Sequence, residues 1–178
     1  MITSRHIGIS LLTVLVATTL VACAQPKPPA PAMPQVVEPS RVELVAAIRA
    51  AGAKNDSVIR VTPLRAPGVA HLLVQAHAQE MNHRYQAAMV TLNQALRLST
   101  GAPDILQDQA ELAVLMGEDT KAEALARQSF ASGPKLGALC ARNWQTVLEM
   151  RRIARDSAGV HAARQALARC DKRAPADM

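Results

Sequence analysis

The chain has 178 residues, of which 49% are hydrophobic, and a formal net charge of +6. This length suffices for one compact domain with peripheral segments. Phe, Trp and Tyr each occur once, so the apolar content comes from small and aliphatic residues. Such a composition favours closely packed helices and argues against a β-sheet protein. The three cysteines are far apart and form no Cys-x-x-Cys pair, so they do not indicate a metal site.

Residues 1–22 have the features of an export signal. A short polar start that includes Arg5 precedes an apolar run from Ile7 to Ala22. A run of about 16 residues is too short to cross a bilayer as a helix, which needs ~20, but it fits the hydrophobic region of a signal peptide. We therefore expect residues 1–22 to be removed from the mature protein.

The apolar run ends in Leu20-Val21-Ala22-Cys23, which resembles the lipobox of bacterial lipoproteins. In that family the cysteine thiol receives a diacylglycerol, the chain is cut before the cysteine, and the new amine is acylated. The resemblance implies that Cys23 carries fatty acyl chains such as palmitate. Each buried methylene contributes about 0.8 kcal/mol, so several chains anchor a protein firmly. The alternative is an ordinary cleaved signal followed by a chance cysteine.

The residue after the cysteine is a sorting position in lipoproteins. Here it is Ala24 and not the aspartate that retains such proteins in the inner membrane. The resemblance therefore implies a lipid-anchored protein on the periplasmic face of the outer membrane of a Gram-negative bacterium.

Residues 23–39 follow as a lipidated segment rich in proline. Proline at this density prevents helix and sheet and favours an extended polyproline II conformation. Such a segment acts as a semi-rigid spacer of about 3 Å per residue. We expect a tether that holds the folded part some tens of ångströms from the lipid surface. A peptide ligand for another protein is the alternative.

Residues 40–66 are predicted to form a short helix and an extended joint. Ser40 and Glu43 have the spacing of a capping box, in which each side chain binds a backbone N–H at the start of a helix. Gly52 or Asn55 would end that helix. The β-branched stretch that follows is expected to lie extended against the main domain.

Residues 67–170 contain two helix–turn–helix windows that match at a spacing of about 34 residues. The matched small residues are Ala76, Ala88 and Ala95 in the first window and Ala110, Ala122 and Ser129 in the second. This pattern resembles the tetratricopeptide repeat, in which small residues at these positions let two helices approach closely. A third, looser pair, displaced by about five extra residues, would end near Cys170.

The resemblance implies an all-α fold: a short α-solenoid of about three helix–turn–helix, tetratricopeptide-like repeats, followed by a flexible tail at residues 171–178. Such stacks expose a concave surface that receives a peptide. By resemblance, the binding positions on the first helix of each repeat are Leu73, His77, Glu80, Met81, Gln107, Glu111, Val114 and Leu115. Trp144 is expected to join them. The basic clamp of chaperone-binding members is absent, because His77 and Glu111 stand where it has asparagine.

Cys140 and Cys170 are predicted to form a disulfide. The periplasm is oxidising, and Cys23 is assigned to lipid, so two thiols remain. The last hairpin would turn near residues 155–156, with one cysteine about 15 residues before the turn and the other about 15 after it. Because each residue of a helix adds the same rise, about 1.5 Å, the two then lie at the same height in an antiparallel pair. Two buried free thiols are the alternative.

Neither a metal site nor an active site is indicated. His71, His77 and His83 are six residues apart, so they do not share a helix face as zinc ligands would. Glycine-rich phosphate loops and nucleophile motifs are absent from the sequence. We therefore expect no cofactor, and a non-enzymatic scaffold that binds envelope proteins or peptides in envelope assembly or secretion.

Arginines are concentrated in the last third of the chain, at Arg142, Arg151, Arg152, Arg155, Arg164, Arg169 and Arg173. They can form an ordinary solvated helix face. The alternative is a structural envelope protein whose basic C-terminal face binds anionic glycan or lipid head groups. A periplasmic location argues against nucleic acid as a partner. Steep weakening of binding with salt would indicate the basic face rather than the groove.

Overall fold

The computed structural model describes residues 38–55 and 65–171. The signal peptide, Cys23, nearly all of the tether, most of the extended joint and the tail after residue 171 lie outside the described residues. What the sequence predicts for them stays a prediction.

Seven helices and no strand make up the described part of the chain, which confirms the all-α fold class. In chain order the helices are α1 (Arg41–Lys54), α2 (Pro67–Met81), α3 (Tyr85–Leu98), α4 (Pro103–Leu115), α5 (Asp119–Ser132), α6 (Gly137–Ile153) and α7 (Ser157–Ala168). Helices α2 to α7 form three hairpins, α2–α3, α4–α5 and α6–α7, which are joined side by side through α3–α4 and α5–α6 contacts.

Local sequence explains where these helices begin. Ser40 and Glu43 form the predicted capping box at α1. Proline occupies the first turn of α2 and of α4, where its missing N–H costs no hydrogen bond. At α7 the carboxylate of Asp156 accepts the N–H of Gly159, so the last hairpin has a side-chain cap.

The three hairpins turn in the same way. His83, Gly117 and Arg155 each hold the chain in the left-handed conformation, with φ of 56°, 76° and 55°. The distance along the chain from His83 to Gly117 equals the spacing of the repeat match. The distance from Gly117 to Arg155 is four residues longer. The third repeat is therefore displaced by four residues, close to the five expected. Only Gly117 adopts this conformation without a steric cost from Cβ.

Small residues lie where the helices cross. The six positions that the repeat match selected are all buried: Ala76, Ala88, Ala95, Ala110, Ala122 and Ser129. In the third hairpin, Ala163 and Ala166 are buried as well. Because an alanine leaves room for the backbone of its neighbour, the paired helices pack closely in spite of the scarcity of aromatic side chains.

Cys140 and Cys170 form the predicted disulfide, with Cα atoms 5.6 Å apart. The backbone N–H of Gly137 also donates to the carbonyl of Cys170 at 2.8 Å. Both bonds join the start of α6 to the end of α7, so the last hairpin is closed at its open end.

Candidate functional site

The predicted binding residues of α2 and α4, together with the side of α6 that faces them, define what we call the groove face. Helix α1 lies on this face, against α4 and α6. It runs antiparallel to both: Arg41 pairs with Asp119 beyond the end of α4, and Gly52 meets Ala138 and Arg142 near the start of α6. The chain therefore covers part of its own predicted groove with its first helix.

Apolar contacts hold α1 in place. Leu44, Val45 and Ile48 are buried and belong to the same core as Val114 and Met150. Burying an aliphatic side chain of this size contributes about 1.5–3 kcal/mol. Three of them make α1 an integral part of the domain.

An ion cluster centred on the buried Glu111 joins α1 to α4 and α6. The carboxylate of Glu111, which is fully buried, accepts hydrogen bonds from Arg49 Nε at 2.8 Å and from Arg142 Nε at 2.8 Å. Arg142 also donates to Asp108 at 2.7 Å, and Arg49 to Glu80 at 2.7 Å. Although burial acts to lower the pKa of Arg142, the carboxylates of Glu111 and Asp108 raise it above its ordinary value.

This ion cluster has the chemistry of a structural clamp. Gln107 Nε2 donates to Glu111 Oε1 at 3.1 Å and to Thr146 Oγ1 at 2.9 Å. Both oxygens of Glu111 therefore accept hydrogen bonds from other side chains of the protein. The cluster orients α1 on α4 and α6.

The structure divides the predicted groove residues into three groups. Those of α4 nearest α1 are buried: Gln107, Glu111 and Val114. Leu73, Glu80 and Leu115 are half-buried, whereas His77 and Met81 are exposed. Of the predicted groove residues, only His77 and Met81 of α2 are exposed.

Trp144 does not join the groove face. Its ring packs edge-on against Phe130 with centroids 5.1 Å apart, and Arg127 lies over it at 5.6 Å. Residue 144 follows Arg142 by two positions, which is roughly 200° around a helix. Because Arg142 points to α4 and α1, Trp144 points away from them, toward α5 and Leu167 of α7.

Most of the C-terminal arginines have carboxylate partners. Glu149 pairs with Arg152 at 2.9 Å, and Glu123 with Arg151 at 2.5 Å. Those with an ion pair are Arg142, Arg151, Arg152 and Arg155. Within residues 38–55 and 65–171, Arg164 and Arg169 have none, and Arg173 lies outside the described residues. The positive charge of the basic C-terminal face, the alternative considered from the sequence, is therefore partly neutralised by these ion pairs.

No protein-family model matches the chain, and no curated protein matches it in sequence. One solved structure does. The described fold is similar to that of the globular C-terminal domain of P. aeruginosa LpoP. The two chains are 28% identical, with a TM-score of 0.54, and the match covers 59% of this chain and 99% of that domain. The whole of the LpoP domain thus corresponds to part of this chain.

The position of helix α1 on the groove face is what the sequence analysis did not predict. The capping box predicted that this segment is a helix, but the sequence analysis did not predict which helices it packs against. Two features of the sequence could have indicated where α1 packs. Leu44, Val45 and Ile48 form an apolar side of the helix with Arg49 next to it, and the repeat match places Glu111 on the groove face.

The described residues contain no group of three His, Cys, Asp or Glu side chains arranged to hold a metal ion. Over the same residues, no helix is long and apolar enough to span a bilayer.

Proposed function

We propose that this protein is a lipid-anchored periplasmic scaffold that binds an envelope protein through its helical stack and catalyses no reaction itself. The observation that carries the proposal is a helix, α1, seated on the groove face by apolar contacts and by ion pairs to the buried Glu111. A face that accepts one helix of its own chain has the shape and chemistry to bind a helix or peptide. The likeness to the globular LpoP domain supports a helical domain of the same architecture.

The predicted cellular location is consistent with this role. Acyl chains on Cys23 would hold the protein at the periplasmic face of the outer membrane. The proline-rich tether would hold the domain away from that membrane, in the periplasm. At ~3.1 Å per residue, an extended segment of this length reaches on the order of 50 Å. A scaffold on such a tether can reach a partner that is anchored elsewhere in the envelope.

Crosslinking in the native envelope tests the proposal. The full-length lipidated protein is crosslinked chemically, purified under denaturing conditions, and its adducts are identified by mass spectrometry. An unrelated outer-membrane lipoprotein of similar abundance is the control. One or a few envelope proteins enriched over that control are expected. The proposal is wrong if the adducts of the two lipoproteins are the same.

The second candidate is binding of anionic glycan or lipid head groups through the basic C-terminal face. Its motivation is the exposed pair of Arg164 and Arg169, which have no ion pair among the described residues. Since Arg142, Arg151 and Arg152 already have carboxylate partners, the free positive charge is small, and this supports the scaffold. Binding to vesicles of anionic lipid that weakens at least tenfold between low and physiological salt would favour the second candidate instead.

A further inference from the structure

A cleft lies between α5 and the end of α6. Its volume is about 430 Å³, which is within the range of pockets that receive a side chain or a small ligand. None of the predicted groove residues lines it, so it is a second concave feature of the domain. The lining residues are Asp119, Thr120, Glu123, Ala124 and Arg127 of α5 and Met150, Arg151 and Ala154 at the end of α6.

The charged side chains at this cleft are paired with one another. Guanidinium groups and carboxylates alternate around it, and their charges balance. A charged side chain of either sign would therefore gain little net attraction in the cleft and would lose its hydration. The ion pairs are Arg41–Asp119, Arg127–Glu123, Arg151–Glu123 and Arg151–Asp156.

Two of these side chains retain unused hydrogen-bonding atoms. All the guanidinium bonds to Glu123 end on its Oε1, so Oε2 accepts none within the part of the chain that the structure describes. Arg127 donates through Nε alone, and its two terminal nitrogens have no acceptor among the same residues. A purely apolar group placed over these atoms would leave them without water or a partner, which costs free energy.

Apolar side chains complete the lining of the cleft. Met150 is 3% exposed, and it lies among the lining residues with Ala124 and Ala154. The thioether of methionine packs favourably against aromatic rings. The side chain that fits the cleft therefore has a large apolar body and an uncharged polar tip.

We propose that the α5–α6 cleft receives a tyrosine side chain of the partner protein, with its ring against Met150 and its hydroxyl between Glu123 and Arg127. A phenol hydroxyl both donates and accepts, whereas the indole N–H of tryptophan only donates and phenylalanine does neither. Tyrosine is also among the residues that most often anchor protein interfaces. This inference rests on the proposed scaffold function and names the side chain by which the partner is held.

Nuclear magnetic resonance with a small probe tests the chemistry of the cleft. The full chain is labelled at its methionine methyl groups, and Met150→Leu identifies the signal of Met150. N-acetyltyrosinamide is then added, with N-acetylphenylalaninamide as the control that lacks the hydroxyl. Fragments of this size bind in the millimolar range. The tyrosine amide should shift the Met150 signal, and the phenylalanine amide should bind at least fivefold more weakly.

A matched pair of variants locates the binding. Ala124→Leu places a larger side chain in the cleft, whereas Ala131→Leu places the same side chain at another exposed position of α5, outside the lining. Circular dichroism should show both variants folded. The first should abolish the shift of Met150, and the second should leave it unchanged.

Photocrosslinking tests the cleft against the natural partner. Benzoylphenylalanine is introduced at Thr120 of the full-length lipidated protein in its own envelope, and at Val90, an exposed position on α3, as a control. The Thr120 adduct should contain a tyrosine directly beside the attachment point, with at least tenfold less adduct at Val90. Changing that tyrosine of the partner to phenylalanine should lower the Thr120 adduct at least tenfold.

Four outcomes overturn the proposal. Equal binding of the two amides would mean that the hydroxyl is not recognised, and a Met150 shift with methyl glucoside alone would mean a glycan site. An adduct between Thr120 and residues 24–37 of the same chain would mean that the protein fills its own cleft. No Met150 shift and no Thr120 adduct, while chemical crosslinking still captures an envelope protein, would disprove the cleft and leave the scaffold function standing.

Discussion

At the scale of single residues, Glu111 decides how α1 and the repeats are joined. Its buried carboxylate is shared by Arg49 and Arg142, and Gln107 adds a third donor. A buried ion pair contributes little compared with apolar packing of the same volume, but loss of one partner is costly because the remaining charge stays buried. The cluster therefore specifies one position for α1 more than it stabilises the fold.

Glu111→Gln should lower the free energy of unfolding by about 2–3 kcal/mol, because it leaves the half-buried Arg142 with one carboxylate instead of two. Urea denaturation followed by circular dichroism measures the change. The control is Glu118→Gln, which removes a surface ion pair with Lys121 and should cost at most about 0.5 kcal/mol. Equal effects of the two substitutions would contradict the role given to Glu111.

At the scale of elements, α1 depends on a close approach to α6. A Cβ atom added to Gly52 would lie 2.7 Å from Cγ of Arg142 and 3.3 Å from the carbonyl of Ala138. Arg142 cannot turn aside without breaking its bonds to Asp108 and Glu111. Gly52 therefore allows the close approach of α1 to α6, and it is not needed for backbone flexibility.

Gly52→Ala should lower the free energy of unfolding by about 1 kcal/mol, because a clash that costs about 1–3 kcal/mol outweighs the better helix propensity of alanine, worth up to about 1 kcal/mol. Gly68→Ala is the control, since a Cβ there meets nothing within 4 Å, and that variant should be as stable as the parent or more so. Thermal unfolding of the two variants side by side checks the difference, and a stabilised Gly52→Ala variant would show that α1 sits loosely on α6.

The α6–α7 hairpin is the last of the three, and α7 packs mainly against α6. Its disulfide closes a loop with a sequence separation of 30, and the backbone bond from Gly137 to Cys170 lies beside it. A covalent link at the open end of a terminal hairpin lowers the entropy of the unfolded chain and opposes fraying of α7.

Cys140→Ala with Cys170→Ala should lower the free energy of unfolding by about 3–4 kcal/mol in the chain-entropy model. Hydrogen exchange should show the loss first in α7 and last in the α2–α3 hairpin. Reduction of the parent protein should reproduce the effect, whereas the double variant should not respond to reductant. Unchanged stability in both experiments would mean that packing alone holds the last hairpin.

At the scale of the whole molecule, the lipid proposed for Cys23 would decide which partners the domain can meet. Cys23→Ser should abolish labelling by a fatty acid analogue and release the protein from the membrane fraction, because several acyl chains supply the anchoring energy. Folding of the domain should be unaffected, and circular dichroism of the parent and the variant should agree. Equal labelling of the variant would disprove the lipobox interpretation.

The sequence alone determined those features that depend on neighbours along the chain. The capping box at Ser40 and the small residues of the repeat match are local patterns, and each produced the predicted helix or crossing. The Cys140–Cys170 bond was predictable as well, because two residues equally far from a tight turn lie at the same height along two antiparallel helices.

Only the tertiary structure decided what covers the groove face. The contacts of α1 join residues from 31 positions apart, as for Arg49 and Glu80, to 90 positions apart, as for Gly52 and Arg142, and no periodicity in the chain encodes them. The same holds for the C-terminal arginines, whose carboxylate partners include Glu111 and Glu123 on neighbouring helices. The number of charged residues in a segment does not give the unpaired charge at its surface, since ion pairs form between residues that the fold brings together.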